Sequence, residues 1–272
     1  MSGAQGRGEI GDLLARHGHH PNRRLGQHFL ADPNLVDRIV VAARIGPGDL
    51  VIEVGSGTGT LTRALAAAGA DVIGFEIDRH LGPVLAEALA GVDADVRFED
   101  ATAGAIAAAA GDRDAVLVAN LPYGVGTSLV LDVLQAVPQV GRMVVMVQRQ
   151  VADRLVAGPG SRTYGVPSVI AALRSTVSLL FRVAPSVFVP PPAVDSAVVE
   201  LCRIEPDPAT DRAERLAAAV FAGRRKMLRR SLVGVVDDPE IVLRIAGIDP
   251  TARPESLSPR RFLDLAAAVG PP

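Results

Sequence analysis

The chain has 272 residues, 49% of them hydrophobic, with 28 Lys and Arg against 30 Asp and Glu and a formal net charge of −2. That length gives one large domain, or a domain with a smaller appendage, and ample apolar material for a core. No apolar run approaches the roughly 18 residues that span a bilayer, and the N-terminus lacks the apolar stretch of a secretory signal. The single cysteine, Cys202, excludes an internal disulfide and a Cys-cluster zinc site, so a cytoplasmic protein with no metal and no membrane partner is expected. The even charge balance hides an asymmetry: residues 31–141 carry 6 Arg against 15 acids, whereas residues 142–235 carry 14 Arg or Lys against 7 acids. An acidic body beside a basic half suits a small-molecule site coupled to a polyanion surface.

Taken in chain order, residues 1–24 read as a basic extension bearing Arg16, His17, His19, His20, Arg23 and Arg24. The pattern then predicts a helix over 34–43, started by Asp32 or Pro33. Short apolar strands follow at 50–54, 71–77, 96–99, 115–119 and 142–148, separated by helical stretches at 61–68, 81–90, 103–110 and 127–136. This alternation predicts a doubly wound parallel sheet that binds its ligand at the carboxyl ends of the strands. Apolar segments at 151–156 and 166–173 precede a strand at 176–183. A Pro-rich loop at 189–192 and a strand at 193–201 follow, and the last two strands are expected to close the sheet as an antiparallel edge. Glu205-Pro206-Asp207-Pro208 marks a boundary between a domain over 25–205 and a small all-α domain over 206–272, with helices at 211–222, 224–233, 239–245 and 259–269.

Four strand ends carry candidate ligand-binding groups. Glu53-Val54-Gly55-Ser56-Gly57-Thr58-Gly59 is a strand end followed by a glycine turn, where Gly55 and Gly57 let backbone approach a ligand. Its G-x-G-x-G spacing differs from the G-x-G-x-x-G fingerprint of dinucleotide sites. Glu76 ends the second strand and suits ribose hydroxyls, a feature shared with NAD enzymes; Asp100 ends the third and suits an adenine amine. Asn120-Leu121-Pro122-Tyr123 ends the fourth, where an amide, a rigid Pro and an aromatic platform form a clamp for the exocyclic amine of an extruded base. Together they read as an S-adenosylmethionine pocket beside an adenine-amine clamp.

With these motifs in place the chain, over about 24–267, resembles the ribosomal RNA adenine dimethyltransferase family. Leu25-Gly26-Gln27-His28-Phe29-Leu30 is similar to a family segment that closes over the cofactor, with His28 where Asn is usual. Phe188-Val189-Pro190-Pro191-Pro192-Ala193-Val194-Asp195-Ser196 resembles its substrate-side motif, and Phe221-Ala222-Gly223-Arg224-Arg225-Lys226 with Ser231-Leu232 its helical C-terminal domain. The resemblance implies a Rossmann-like class I S-adenosylmethionine-dependent methyltransferase with a small C-terminal all-α domain. It would convert two adjacent adenosines of small-subunit rRNA to N6,N6-dimethyladenosine during ribosome assembly, as a monomer.

It further implies that His28, Leu30, Gly55, Gly57, Glu76, Asp100 and Asn120 hold the cofactor. Asn120, Leu121, Pro122 and Tyr123 orient the base, with Phe188 as a second aromatic wall. RNA contacts are expected from Arg149, Arg154, Arg224, Arg225, Lys226 and Arg229, the last four lying in a run of five cations on one expected helix. The competing readings are a large-subunit enzyme of antibiotic resistance, a chiefly non-catalytic assembly factor, and an N6-adenine DNA methyltransferase. The family pattern after Tyr123 is replaced by Gly124-Val125-Gly126-Thr127. Two glycines there imply a looser loop, with Thr127 or Ser128 expected to cap the next helix.

Overall fold

The computed structural model describes residues 4–270. The elements run α1 (Arg7–Arg16), β1 (Phe29–Leu30), α2 (Pro33–Ala43), β2 (Leu50–Val54), α3 (Thr60–Ala67), β3 (Asp71–Phe75), α4 (Gly82–Ala88) and β4 (Ala94–Arg97). Then come α5 (Ala103–Ala110), β5 (Ala115–Asn120), α6 (Gly126–Ala136), β6 (Val140–Gln148), α7 (Arg149–Leu155), α8 (Val166–Arg174), β7 (Ser175–Val183), β8 (Phe188–Val189) and β9 (Ser196–Arg203). The chain finishes with α9 (Thr210–Phe221), α10 (Leu228–Ser231), α11 (Pro239–Ile245) and α12 (Pro259–Val269).

Seven strands form one sheet in the order β4-β3-β2-β5-β6-β9-β7. The first five are parallel and β9 runs antiparallel to β6, as the alternating pattern and the late strand pair predict. The strand order reverses between β2 and β5, so the crevice at their carboxyl ends is the expected ligand site. Helix α2 shows why these segments fold as they do. The Asp32 side chain accepts from the Asn34 and Leu35 N–H groups, Pro33 occupies the first turn, and Leu35, Val36, Ile39 and Ala43 are buried on one face. That face packs into a core with Val51, Val72, Val118, Val144 and Val198. Each such side chain contributes about 1.5–3 kcal/mol by leaving water.

The chain divides into two compact units, one running to Ala152 and including Ser178–Cys202, the other comprising Asp153–Val177 and the residues from Arg203 onward. The boundary at 205/206 therefore misses a segment: residues 153–177 belong with the C-terminal helices. Tyr164, Val169 and Leu173 are buried with Leu216, Val220 and Phe262 in that unit's own core. Burial also corrects the extension expected over 1–24. Ile10, Leu13 and Leu14 on α1 pack against Phe29, Leu81, Val84 and Leu85, making α1 part of the first unit's core.

The helix expected over 224–233 is broken. Lys226 N–H closes a turn on the Gly223 carbonyl at 2.7 Å, and only Leu228–Ser231 is helical. Leu228 and Leu232 are fully buried while Arg225, Lys226 and Arg230 are exposed, a split that a turn followed by a short helix meets directly.

Candidate active site

The site starts from a charged residue in a fully buried strand. Glu53 sits in β2, whose five residues are all buried, and it is 1% exposed. Its Oε2 accepts from the Ser56 hydroxyl at 3.0 Å and the Thr62 hydroxyl at 2.5 Å, while Oε1 is buried without a partner. Burial raises the carboxyl to about 7, against the lowering effect of the two hydroxyls. Glu53 thus ties the strand end to the glycine turn and to α3.

In that turn Gly55, Gly57 and Gly59 all have positive φ, at 79°, 56° and 77°. A Cβ on Gly57 would stand 3.1 Å from the Phe29 ring. Gly74, in the neighbouring β3, is tighter still: a Cβ there would lie 2.3 Å from Ser56 Oγ. The sequence pattern does not single out Gly74, because its need for glycine comes from a turn on another strand.

Glu76, just past β3, is 6% exposed and both its oxygens accept backbone N–H groups, Oε2 from Gly57 at 2.8 Å and Oε1 from Asp78 at 2.9 Å. Burial raises its carboxyl above the usual range, opposed by these two bonds. Each oxygen keeps a second lone pair for a ligand hydroxyl. The next residue, Ile77, is an apolar side chain left 54% exposed, a surface suited to one face of a flat ring. Asp100 lies beyond β4, which ends at Arg97 and not at 99 as expected, so the acid is carried on a loop and is exposed.

Asn120 is the last residue of β5. Its Nδ2 donates to the His28 carbonyl at 3.0 Å, which fixes the amide and leaves Oδ1 as an acceptor. Leu121 is buried and its N–H donates to Met146. The Tyr123 ring stacks on His28, with centroids 5.5 Å apart and planes 28° apart, and its hydroxyl shares a 2.8 Å hydrogen bond with Ser196. His28 Nδ1–H donates to the Pro190 carbonyl at 2.7 Å. The Pro-rich loop and the segment around His28 are therefore joined at the clamp, and β1 pairs with β8 alongside.

These groups line one cavity of about 640 Å³, within the range of small-molecule sites. Among the described residues it brings together His28, Gly55, Gly57, Glu76, Asp100, Asn120, Leu121, Pro122 and Tyr123, together with Gln27 and Phe29, which lie in the segment around His28 but are not among the expected ligand groups, and Ile77, which no sequence motif marks. Two expected site residues are elsewhere. Leu30 is 5% exposed and Phe188 fully buried; both belong to the hydrophobic core, because β1–β8 pairing turns them inward and presents Phe29 to the cavity in place of Leu30. Phe188 is accordingly corrected from a cavity wall to a core residue.

The loop after Tyr123 also differs from expectation. Gly126 begins α6 with a Cβ position 3.2 Å from Val147, so it serves close packing, whereas Gly124 has open space around it. Neither Thr127 nor Ser128 caps α6; the Ser128 hydroxyl donates to the Val125 carbonyl. Of the cations expected to touch RNA, Arg154, Arg225 and Lys226 are exposed. Arg224 donates to the Ser161 and Arg162 carbonyls, Arg229 stands 3.7 Å from Glu240, and Arg149 stands 4.0 Å from Asp195.

A glycine cradle held at positive φ, a buried acid with free lone pairs, an exposed apolar face and an outer acid fit an adenosine bearing an amino-acid chain. This fold and this donor set define a Rossmann-like class I methyltransferase dependent on S-adenosylmethionine. The ribosomal RNA adenine dimethylase family matches residues 18–269, and the chain belongs to that family.

The ribosomal RNA small subunit methyltransferase A of Methylobacterium radiotolerans is 44% identical, over 98% of this chain and 94% of that protein. The protein of the same name from Kineococcus radiotolerans is 43% identical, over 95% and 89%. Among solved structures, a dimethyladenosine transferase from Plasmodium falciparum superposes with a TM-score of 0.73 at 27% identity, covering 88% of this chain and 96% of that one. The 23S rRNA methyltransferase ErmE gives 0.70 at 25% identity, covering 89% and 100%.

Proposed function

We propose that this chain transfers methyl groups to N6 of two adjacent adenosines of small-subunit rRNA during ribosome assembly, acting as a monomer in the cytoplasm. The observation that carries this reading is Asn120, held at the end of β5 by its bond to the His28 carbonyl and facing the same cavity as Glu76 and Tyr123. The full-length relatives named for the small subunit, at 43–44% identity, favour that substrate over the large-subunit activity named for ErmE at 25%. No helix among the described residues is long and apolar enough to cross a membrane.

When bound, S-adenosylmethionine supplies an electrophilic methyl on a sulfonium that is already a good leaving group. Gly55 and Gly57 would take its amino-acid end, Glu76 its ribose, and Ile77 and Asp100 its adenine. The target amine is a poor nucleophile because its lone pair is shared with the purine ring. Asn120 Oδ1 and the Leu121 carbonyl accept its two hydrogens and favour the pyramidal form, while Pro122 fixes the backbone and Tyr123 supports the base. The proton on the methylated nitrogen passes to water, so the residues act by orientation and exclusion of solvent.

Asn120→Ala tests the reading. Methylation of unmethylated small subunits should fall by roughly a hundred- to a thousandfold, the size seen when one aimed hydrogen-bonding group is removed, with RNA binding retained. Full methylation by the variant would overturn the role of Asn120, and methyl transfer confined to large subunits or DNA would overturn the substrate.

A further inference from the structure

The mouth of the cavity carries a feature that the methyl-transfer chemistry does not use. Its charged lining residues are Glu76, Glu99, Asp100 and Asp132 on one side of the balance and Arg23 and Arg24 on the other. Those two arginines are its only cations among the described residues, both are exposed, and neither has a carboxylate partner there. Some other arginines of the same unit are paired: Arg16 with Glu87, Arg97 with Asp95, Arg113 with Asp71.

The turn that holds them is braced. Asn22 Oδ1 accepts from Arg24 N–H at 3.0 Å, Gln27 Oε1 accepts from Asn22 N–H at 2.7 Å, and Gln27 Nε2 donates to Asp78 at 2.7 Å. Asp78 N–H in turn donates to Glu76, so the turn is tied to the buried acid of the cavity. Gly26, at φ 66°, brings it against the clamp: a Cβ there would stand 3.6 Å from Pro122 Cβ and 3.7 Å from Tyr123 N. The backbone that carries these two guanidinium groups is thereby fixed next to the residues that receive the base.

We propose that Arg23 and Arg24 form a phosphate site that holds the RNA backbone beside the extruded target adenosine. The proposal rests on the reading of the cavity as an adenine-N6 methylation site. A base that enters the cavity leaves its own phosphates at the rim, where the exposed Glu99, Asp100 and Asp132 would repel a polyanion. Arginine forks match phosphate oxygens bidentately, and such contacts set register without reading sequence. They also offset the few kcal/mol that unstacking the base costs.

The test compares the full chain with the double variants R23A/R24A and R23K/R24K on unmethylated small-subunit RNA. The exposed side chains can be removed without loss of core packing, and an unchanged Tm checks this. For the alanine pair, KM for RNA should rise roughly tenfold or more, with a smaller change in kcat. The salt slope of RNA binding should fall by about 0.7–0.9 for each phosphate no longer neutralised. The lysine pair should recover most of that slope, and Kd for S-adenosylmethionine should stay unchanged in both.

An unchanged KM and salt slope in the alanine pair would overturn the proposal. So would weaker cofactor binding with unaltered RNA binding, which would assign the arginines to the cofactor's carboxylate. Failure of the wild-type chain to methylate the RNA would instead defeat the functional reading, while the salt slopes would still report on the arginines.

Discussion

Each of the two units buries a Glu side chain, and the contrast between them lies in the groups that hold it. In the second unit, Glu214 is gripped by Arg174, Nε to Oε1 at 2.5 Å and Nη2 to Oε2 at 3.2 Å, with Asp211 also accepting from Nη2. In the first, the bonds described for Glu53 and Glu76 come from hydroxyls and backbone N–H groups, with no cation among them, and burial raises both carboxyls. The paired acid crosslinks α8 and α9. Without a cation, Glu53 braces the strand-end turn, and Glu76, which lines the cavity, keeps acceptor capacity for a ligand.

The largest expected effect is on the paired side. Glu214→Ala strands a guanidinium that is 7% exposed, and breaking such a pair typically costs about 3–5 kcal/mol. The remaining bond to Asp211 places the expected loss at the lower end. Urea denaturation measures it, and a loss below about 1 kcal/mol would erase the distinction between the two units.

Next comes the unpaired side. The Glu53 carboxyl holds its proton up to about pH 7 in the folded chain, against the usual 4.5, so the folded state binds more protons between those values. Its contribution to stability is full below about pH 4.5 and is lost as pH rises through 7. The loss is on the order of 3 kcal/mol, at about 1.36 kcal/mol for each pH step of one between those two values. Glu53→Gln removes this titration, so the variant should gain on the wild type by that order between pH 4.5 and 8 in parallel denaturation series. A constant difference across that range would show that Glu53 is ionised at neutral pH.

Gly74→Ala forces Ser56 Oγ away from a Cβ and costs its bond to Glu53. Overpacking of this kind costs about 1–3 kcal/mol and should weaken cofactor binding as the turn shifts. Adding Ser56→Ala removes the clash and should restore most of the stability; no recovery would mean that the strain lies elsewhere. The smallest effect is expected at Gly124, where a Cβ meets open space. Gly124→Ala should stabilise by about 0.4–1 kcal/mol through the unfolded chain without changing methylation more than a few-fold. A large fall in rate would show that the loop beside Tyr123 must flex during the reaction.

Much of this site could be read locally. The five parallel strands follow from short apolar runs alternating with helix-length segments, and the glycine turn, Glu76, Asp100 and Asn120 all proved to line the cavity. The misreadings share a cause. Phe29 pairs with Val189 and Leu30 with Phe188, contacts across about 160 residues of chain that put Phe29 at the cavity wall and keep Leu30 and Phe188 away from it. Gly74 answers to Ser56 on another element, and the break after Phe221 answers to Leu228 and Leu232 seeking a core with Leu216 and Phe262.

By itself the sequence determined the class of sheet, the residues that stand at the strand tips and the family, because backbone periodicity and short motifs are encoded within a few residues. Only the tertiary structure decided which side chains reach the cavity, which acids lack a cation, and that Arg23 and Arg24 stand unpaired at its mouth. Those outcomes depend on burial and pairing between segments far apart in the chain, which no local pattern records.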